Sequence, residues 1–205
     1  MTTGRLEAFS DGVFAIAITL LVLDVHVPLA SDLGGGSLLH ALLRQWPVYL
    51  AYMTSFLTIL IMWVNHHQMF ARIGRVDHSL LFLNGLLLMS VSIVPFPTSL
   101  VAAYLQQRDG QVATAVYSGT FVAIAVLFNL LWRYAAYEGR LLESDEDPRF
   151  VRGLSRQYLL GPPAYFAAFV LAFVSVWASV SLCMLLAIFF ALPIGTSAGA
   201  LERRS

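Results

Sequence analysis

The sequence predicts an all-α integral membrane protein with six transmembrane helices and both termini in the cytoplasm. Three observations predict it. Of the 205 residues 59% are hydrophobic and 12% charged, against roughly 45–50% and about 25% in soluble domains, and the mean hydropathy is +0.75. The apolar residues fall into runs of the roughly 20 that a membrane helix requires. If those runs alternate in direction, ten of the twelve arginines collect on one side and only Arg44 and Arg108 lie opposite, the bias that marks the cytoplasmic face. Five spans would place Arg203 and Arg204 outside. Twelve acidic residues balance twelve basic ones, so no global field recruits nucleic acid.

The spans are expected at 6–25, 46–66, 79–104, 112–134, 158–177 and 180–197, all in one domain over 1–205. The first is read as a retained helix, because acidic as well as basic residues precede it and no small-residue cleavage site follows. Gly34 to Gly36 mark a flexible outer loop. The SLLHALLRQW that follows is a short interfacial helix or the start of span two. Pro95 and Pro97 remove two backbone donors and should kink span three. The segment ESDEDPRF at 143–150 reads as a solvated cytoplasmic loop. Pro162 and Pro163 suit the first turn of span five. The run from there to Leu192 is too long for one span at about 1.5 Å per residue, so a tight turn is expected near Trp177 to Ser181. No internal repeat is evident. Cys183, the single cysteine, lies in an apolar run and forms no disulfide within the chain.

The first span carries the chemistry. In FSDGVFAIAITLLVLD, residues 9–24, an ideal helix of about 100° per residue puts Arg5, Phe9, Gly12, Ile16, Leu20 and Leu23 on one stripe, with Thr19 beside it. Asp11 falls on roughly the opposite side. A carboxylate within the bilayer costs at least ~2.5 kcal/mol, so Asp11 needs partners inside the bundle. Span two ends MWVNHHQMF, placing Trp63, Asn65, His66 and His67 at the depth of Arg5, Ser10 and Asp11. A cluster of Arg5, Ser10, Asp11 and His66 or His67 satisfies the carboxylate. Its functions range from interhelical bonding to proton relay, gating or metal binding. Adjacent histidines diverge by about 100° and suit one metal poorly unless His78 or another acid joins them. Asn84, Asn129, Trp132 and Tyr134 read as interfacial belts and interhelical hydrogen-bonding groups. No nucleophile elbow or phosphate loop supports an enzyme.

The string RLEAFSDGVFAIAITLLVLDVHVP at 5–28 resembles the signature of the transmembrane protein 175 family of potassium channels in its short prokaryotic form. Arg5, Phe9, Ser10 and Asp11 carry the motif, and WVNHHQMF at 63–70 and PFPTSL at 95–100 extend it. The likeness is strong over the first half and topological over the second. It implies six helices per subunit, a homotetramer, and a first helix lining a central pore without a TVGYG filter. It further implies a hydrophobic constriction at Ile16, Leu20 and Leu23, with Thr19 discriminating potassium from sodium. Arg5, Ser10, Asp11 and a histidine of the second helix become a network that positions the first. Asp24 near the outer mouth attracts cations. The expected protein is thus a passive channel in a bacterial plasma membrane, with potassium ions and lipid as its partners and no cofactor. The rival reading is a proton-coupled transporter using Asp11 and His66 or His67 as a relay.

Overall fold

The computed structural model describes residues 3–29, 33, 36–143 and 148–191. Parts of two expected features, residues 144–147 of the acidic loop and 192–197 of the sixth span, lie outside this range, as do Gly34, Gly35, Arg203 and Arg204. The described chain is helical: α1 (Thr3–Leu20), a 3-10 turn (Leu21–Asp24), α2 (Leu38–Arg44), α3 (Trp46–Phe70), α4 (His78–Ser92), α5 (Pro95–Tyr104), α6 (Gly110–Ala136), a second 3-10 turn (Tyr137–Gly139), α7 (Pro148–Ala172) and α8 (Val176–Ala191). Among the described residues four stretches are long and apolar enough to cross a membrane: Thr3–Asp24, Trp46–Phe70, His78–Tyr104 and Gly110–Gly139.

The break between α4 and α5 falls where the two prolines predict it, with Pro95 at the first turn of α5, where its missing N–H has no intrahelical role. α2 stands apart from span two. Ser37 caps it by accepting from the His40 backbone N–H at 3.3 Å, and it buries no residue.

Two expectations about the last third are corrected. Pro162 and Pro163 do not begin a helix; α7 starts at Pro148 and runs through them. The reason is a buried stripe of Leu154, Tyr158, Gly161, Tyr165, Ala168 and Ala172, spaced by three and four, which holds one helical face against the bundle on both sides of the prolines. The proline rings lie off that stripe. The turn between α7 and α8 lies at 173–175, ahead of Trp177 to Ser181, because Ser175 caps α8 through its hydroxyl and the Ala178 N–H at 3.3 Å. Trp177 sits inside α8 and stacks on Trp46 at 5.7 Å.

α6 forms the centre of the bundle, burying Tyr117, Phe121, Ile124, Leu131 and Trp132. Lipid offers no hydrophobic drive for helix association, so packing and interhelical hydrogen bonds hold the helices together. The Ser55 hydroxyl meets Thr98 Oγ1 at 2.8 Å and the Tyr117 hydroxyl at 3.1 Å, joining α3, α5 and α6. Trp132 Nε1 donates to Ser155 Oγ at 2.7 Å, joining α6 to α7. The Tyr158 hydroxyl donates to the Asn65 carbonyl at 3.1 Å, and Ser179 Oγ to the Ala168 carbonyl at 2.7 Å.

One end of the bundle is closed by a latch. Asp77 caps α4, accepting from the Leu80 N–H at 2.9 Å, and also accepts from the Tyr134 hydroxyl at 2.6 Å and from Arg140 at 2.7 Å. The Tyr134 hydrogen bond above all, then the Leu80 N–H, holds the Asp77 carboxyl below its ordinary value. A short antiparallel bridge between Ile73 and Leu142 ties the same two connections. The contacts bring Arg72, Arg75 and Arg140 to the end of the bundle at which α1 begins.

At the opposite end Gly110 starts α6 under the end of α5. A Cβ there would meet the Tyr104 carbonyl oxygen at 2.9 Å and the Leu105 carbonyl oxygen at 3.1 Å, both backbone atoms that cannot swing aside. Gly110→Val should therefore lower stability by about 1–3 kcal/mol. The check is a reduced thermal midpoint of the detergent-purified protein relative to Gly85→Ala, whose added Cβ meets nothing within 4 Å.

Candidate functional site

α1 has two faces with different fates. Leu6, Ser10, Phe14 and Ala17 are buried, continued by Leu21 in the 3-10 turn. The other face is uncovered: Phe9 and Ile16 are each 61% exposed, Leu20 42% and Leu23 68%, and Arg5, Gly12 and Thr19 share it. The tightening after Leu20 keeps the stripe straight, because residues three apart eclipse in a 3-10 turn and so Leu23 stays in line with Leu20. Thr19 donates its hydroxyl proton to the Ile16 carbonyl at 2.9 Å. Its outward lone pairs therefore act only as acceptors.

Behind that face three links hold α1. In the first, Nε2–H of His66 donates to Asn84 Oδ1 at 2.9 Å, Asn84 Nδ2 donates to Ser10 Oγ at 3.0 Å, and Ser10 Oγ donates to the Leu6 carbonyl at 2.8 Å. Each group donates once and the chain runs in one direction across α3, α4 and α1. All three side chains are fully buried. Phe70 stacks on the His66 ring at 4.3 Å and Phe14 lies tilted at 5.3 Å. His66 Nδ1 has no hydrogen-bond partner among the described residues, as expected for a neutral ring whose proton sits on Nε2.

The second link is Trp63 Nε1 donating to Asp11 Oδ1 at 2.8 Å. The third pairs His67 Nδ1 with Glu7 Oε1 at 2.6 Å, and His67 stacks on Trp63 at 6.1 Å. The structure thus brings Ser10 and His66 together through Asn84, and places Asp11 and His67 in neighbouring links. It does not bring Arg5 in. Arg5 is exposed on the uncovered stripe, six residues and about 120° around the helix from Asp11, so the single cluster of Arg5 with Asp11 is not formed.

Glu7, Trp63 and Asn84 complete the links; Glu7 escaped the sequence reading, whereas the sequence places Trp63 at the depth of Asp11 and Asn84 among the interhelical hydrogen-bonding groups, neither with an assigned partner. Spacing offers a signal for the first two, since Glu7 lies four residues before Asp11 and Trp63 four before His67, each pair on one helix face. Asn84 was legible as an isolated amide in an apolar span, but not its partners. At the far end Asp24 Oδ2 accepts from Ser99 Oγ at 2.6 Å, joining the 3-10 turn to α5. Its backbone carbonyl accepts from His26 Nδ1 at 2.7 Å. Among the described residues no trio of His, Cys, Asp or Glu is placed to hold a metal ion.

Residues 5–95, which contain the stripe and all three links, match the family model described as endosomal/lysosomal potassium channel TMEM175. A protein of Chamaesiphon minutus named a potassium channel is 54% identical over 190 residues, 93% of this chain and 94% of that protein. The chain belongs to the TMEM175 family. A solved TMEM175 homolog from Chamaesiphon minutus, described as a lysosomal potassium-selective channel homolog, superimposes with a TM-score of 0.85 at 51% identity, covering 92% of this chain and 96% of that one. A TMEM175 protein of Bos taurus, named an endosomal/lysosomal proton channel, is 35% identical over 148 residues, 69% of this chain and 30% of that protein.

Removing one member of the buried chain strands the others. Asn84→Leu leaves the His66 N–H unpaired and should destabilise by about 1–2 kcal/mol. His66→Phe in the same background should recover part of that loss. The thermal midpoints of the two single variants and the double variant check it; strictly additive losses would show that Asn84 and His66 are not coupled.

Proposed function

We propose that the chain is a passive potassium channel of a bacterial plasma membrane, assembled as a homotetramer of six-span subunits with both termini cytoplasmic, in which the uncovered face of α1 lines the pore. The single observation that carries this reading is a membrane-length helix, inside the segment that matches the channel family, whose apolar face is left largely uncovered by the described residues. Four copies around an axis would turn that face inward. The near full-length likeness to a protein named a potassium channel supplies the permeant ion.

In this reading Ile16, Leu20 and Leu23 form successive apolar rings. Such rings gate by dewetting and oblige an ion to shed part of its water. Thr19, its proton already committed to the helix, presents an oxygen acceptor next to the constriction and favours the cation that dehydrates more readily. Ser10, Asp11, His66 and His67, with Glu7, Trp63 and Asn84, hold α1 at a fixed angle. Arg5 belongs to the cytoplasmic mouth. Asp24, anchored by Ser99, adds negative charge at the outer mouth. No cofactor takes part.

The rival, a proton-coupled transporter with a relay from Asp11 through the histidines, is less well supported. The hydrogen-bond chain from His66 ends on the Leu6 carbonyl, and the link at Asp11 runs to Trp63. A pH gradient across the same liposomes separates the two, because a channel passes potassium down its own gradient without one.

Ile16→Asn should raise potassium flux from reconstituted liposomes severalfold and weaken discrimination against sodium, since a polar ring hydrates the constriction. Flux equal to the parent would remove Ile16 from the pore. Thr19→Ala should move the bi-ionic potassium/sodium reversal potential toward zero while the oligomer mass in detergent stays unchanged. An unaltered reversal potential would end its role in selectivity.

A further inference from the structure

Between α4 and α6, at the end of the bundle held by the Asp77 latch, lies an open groove of about 350 Å³ lined by Leu83, Leu130, Arg133, Tyr134, Tyr137 and Arg140. Its construction is two-sided. Leu83 and Leu130 form an apolar floor, and Leu130 is 47% exposed although it sits on a membrane-length helix. Arg133, Arg140 and the exposed Tyr137 line the rest of the groove. The turn that shapes the rim is unusual: Glu138 at φ 53° and Gly139 at φ 67° both adopt left-handed backbone. They fold the chain back, so that Arg140 lies over the Tyr134 ring at 5.1 Å and reaches Asp77.

The charge is unbalanced. Arg140 is paired with Asp77, whereas Arg133 is exposed and makes no hydrogen bond or ion pair among the described residues. Among the described residues no acid lines the groove; Glu138 stands on the adjoining turn. The apolar floor continues away from the rim along exposed Val126 on α6, one turn from Leu130, and exposed Leu86 on α4, three residues from Leu83. A ligand that fits therefore has an anionic, hydrogen-bond-accepting head and an apolar tail long enough to follow the helices.

We infer that this groove binds one anionic phospholipid, its phosphate held by Arg133, Arg140 and the Tyr137 hydroxyl and an acyl chain lying on Leu130 and Leu83. Arginine suits the task because its planar fork of donors matches phosphate oxygens, and tyrosine belongs at the headgroup level. The bound lipid ties the ends of α4 and α6 together beside the latch. This site is independent of conduction and stands whether or not the chain passes potassium.

The test uses the full-length protein in its isolated oligomeric state, titrated in nonionic detergent with phosphatidylglycerol, phosphatidylcholine or inorganic phosphate and followed by native mass spectrometry and thermal midpoint. Phosphatidylglycerol should be retained and should stabilise, phosphatidylcholine and inorganic phosphate should not. Arg133→Gln should weaken phosphatidylglycerol binding about fivefold, the effect of one basic side chain near an anionic lipid surface. Arg133→Lys, which keeps the charge and controls for folding, should lose much less. Arg152→Gln, in the neighbouring cleft with Arg75 and Glu143, should lose little. Equal retention of the two lipids, an unaffected Arg133→Gln, equal losses in the Gln and Lys variants, or equal losses at Arg133 and Arg152 would each overturn the assignment. Saturation by inorganic phosphate alone would make the groove a soluble-anion site and overturn the lipid.

Discussion

The chain of hydrogen bonds from His66 through Asn84 to Ser10 fixes how α1 sits against α3 and α4, and what α1 leaves uncovered follows from that. Three polar side chains on three helices are fully buried, and each donor has one acceptor. In lipid an unmet donor has no water to fall back on, so the register in which all three groups donate is strongly preferred over its neighbours. Turning α1 by one residue would rotate Ser10 by about 100° and leave Asn84 without its acceptor. The aromatic rings of Phe14 and Phe70 fill the space around His66 and exclude alternative rotamers.

Pinning one face of α1 leaves the other open. Leu6, Ser10, Phe14, Ala17 and Leu21 are buried against α3, α4 and α5, so among the described residues Phe9, Ile16, Leu20 and Leu23 are left largely uncovered. Apolar side chains facing lipid are ordinary in a membrane protein, and exposure alone would not mark a pore. In the proposed channel, the surroundings of the stripe add support to the family match. Thr19 turns an acceptor outward, charged Arg5 stands at one end of it, and Asp24 is braced by Ser99 at the other. Such polar elements in series suit a path for a cation better than a wall for acyl chains.

The polar groups at the two ends have separate duties. At one end Asp77, Tyr134 and Arg140 bind the start of α4 to the end of α6, and the Ile73–Leu142 bridge joins the connections that follow α3 and α6. At the other, the 3-10 turn of α1 is tied to α5 by Asp24 and Ser99, and Trp46 stacks on Trp177. α1 itself is held near its start by Glu7 and Asp11, at its far end by Asp24 and along its buried face, while its other face is largely uncovered by the described residues. In the proposed channel, a helix held in this way is a suitable scaffold for side chains that form a narrow aperture.

Composition, apolar run length and the grouping of arginines were enough to determine a helical membrane protein, four of its long helices and the proline break before α5, because these depend on local chemistry and the thickness of a bilayer. The two faces of α1 were likewise legible, since helical periodicity is a property of the segment itself. The path of α7 through Pro162 and Pro163 was not: two prolines argue locally for a helix start, and only the buried stripe on both sides of them outweighs that. Nor could the sequence divide the polar residues of α1 and α3 among partners. His66 and His67 are adjacent in the chain yet point to different helices, and Arg5 and Asp11 share a motif yet lie about 120° apart. Which donor meets which acceptor depends on the angle and depth at which three helices pack, and only the tertiary structure decides that.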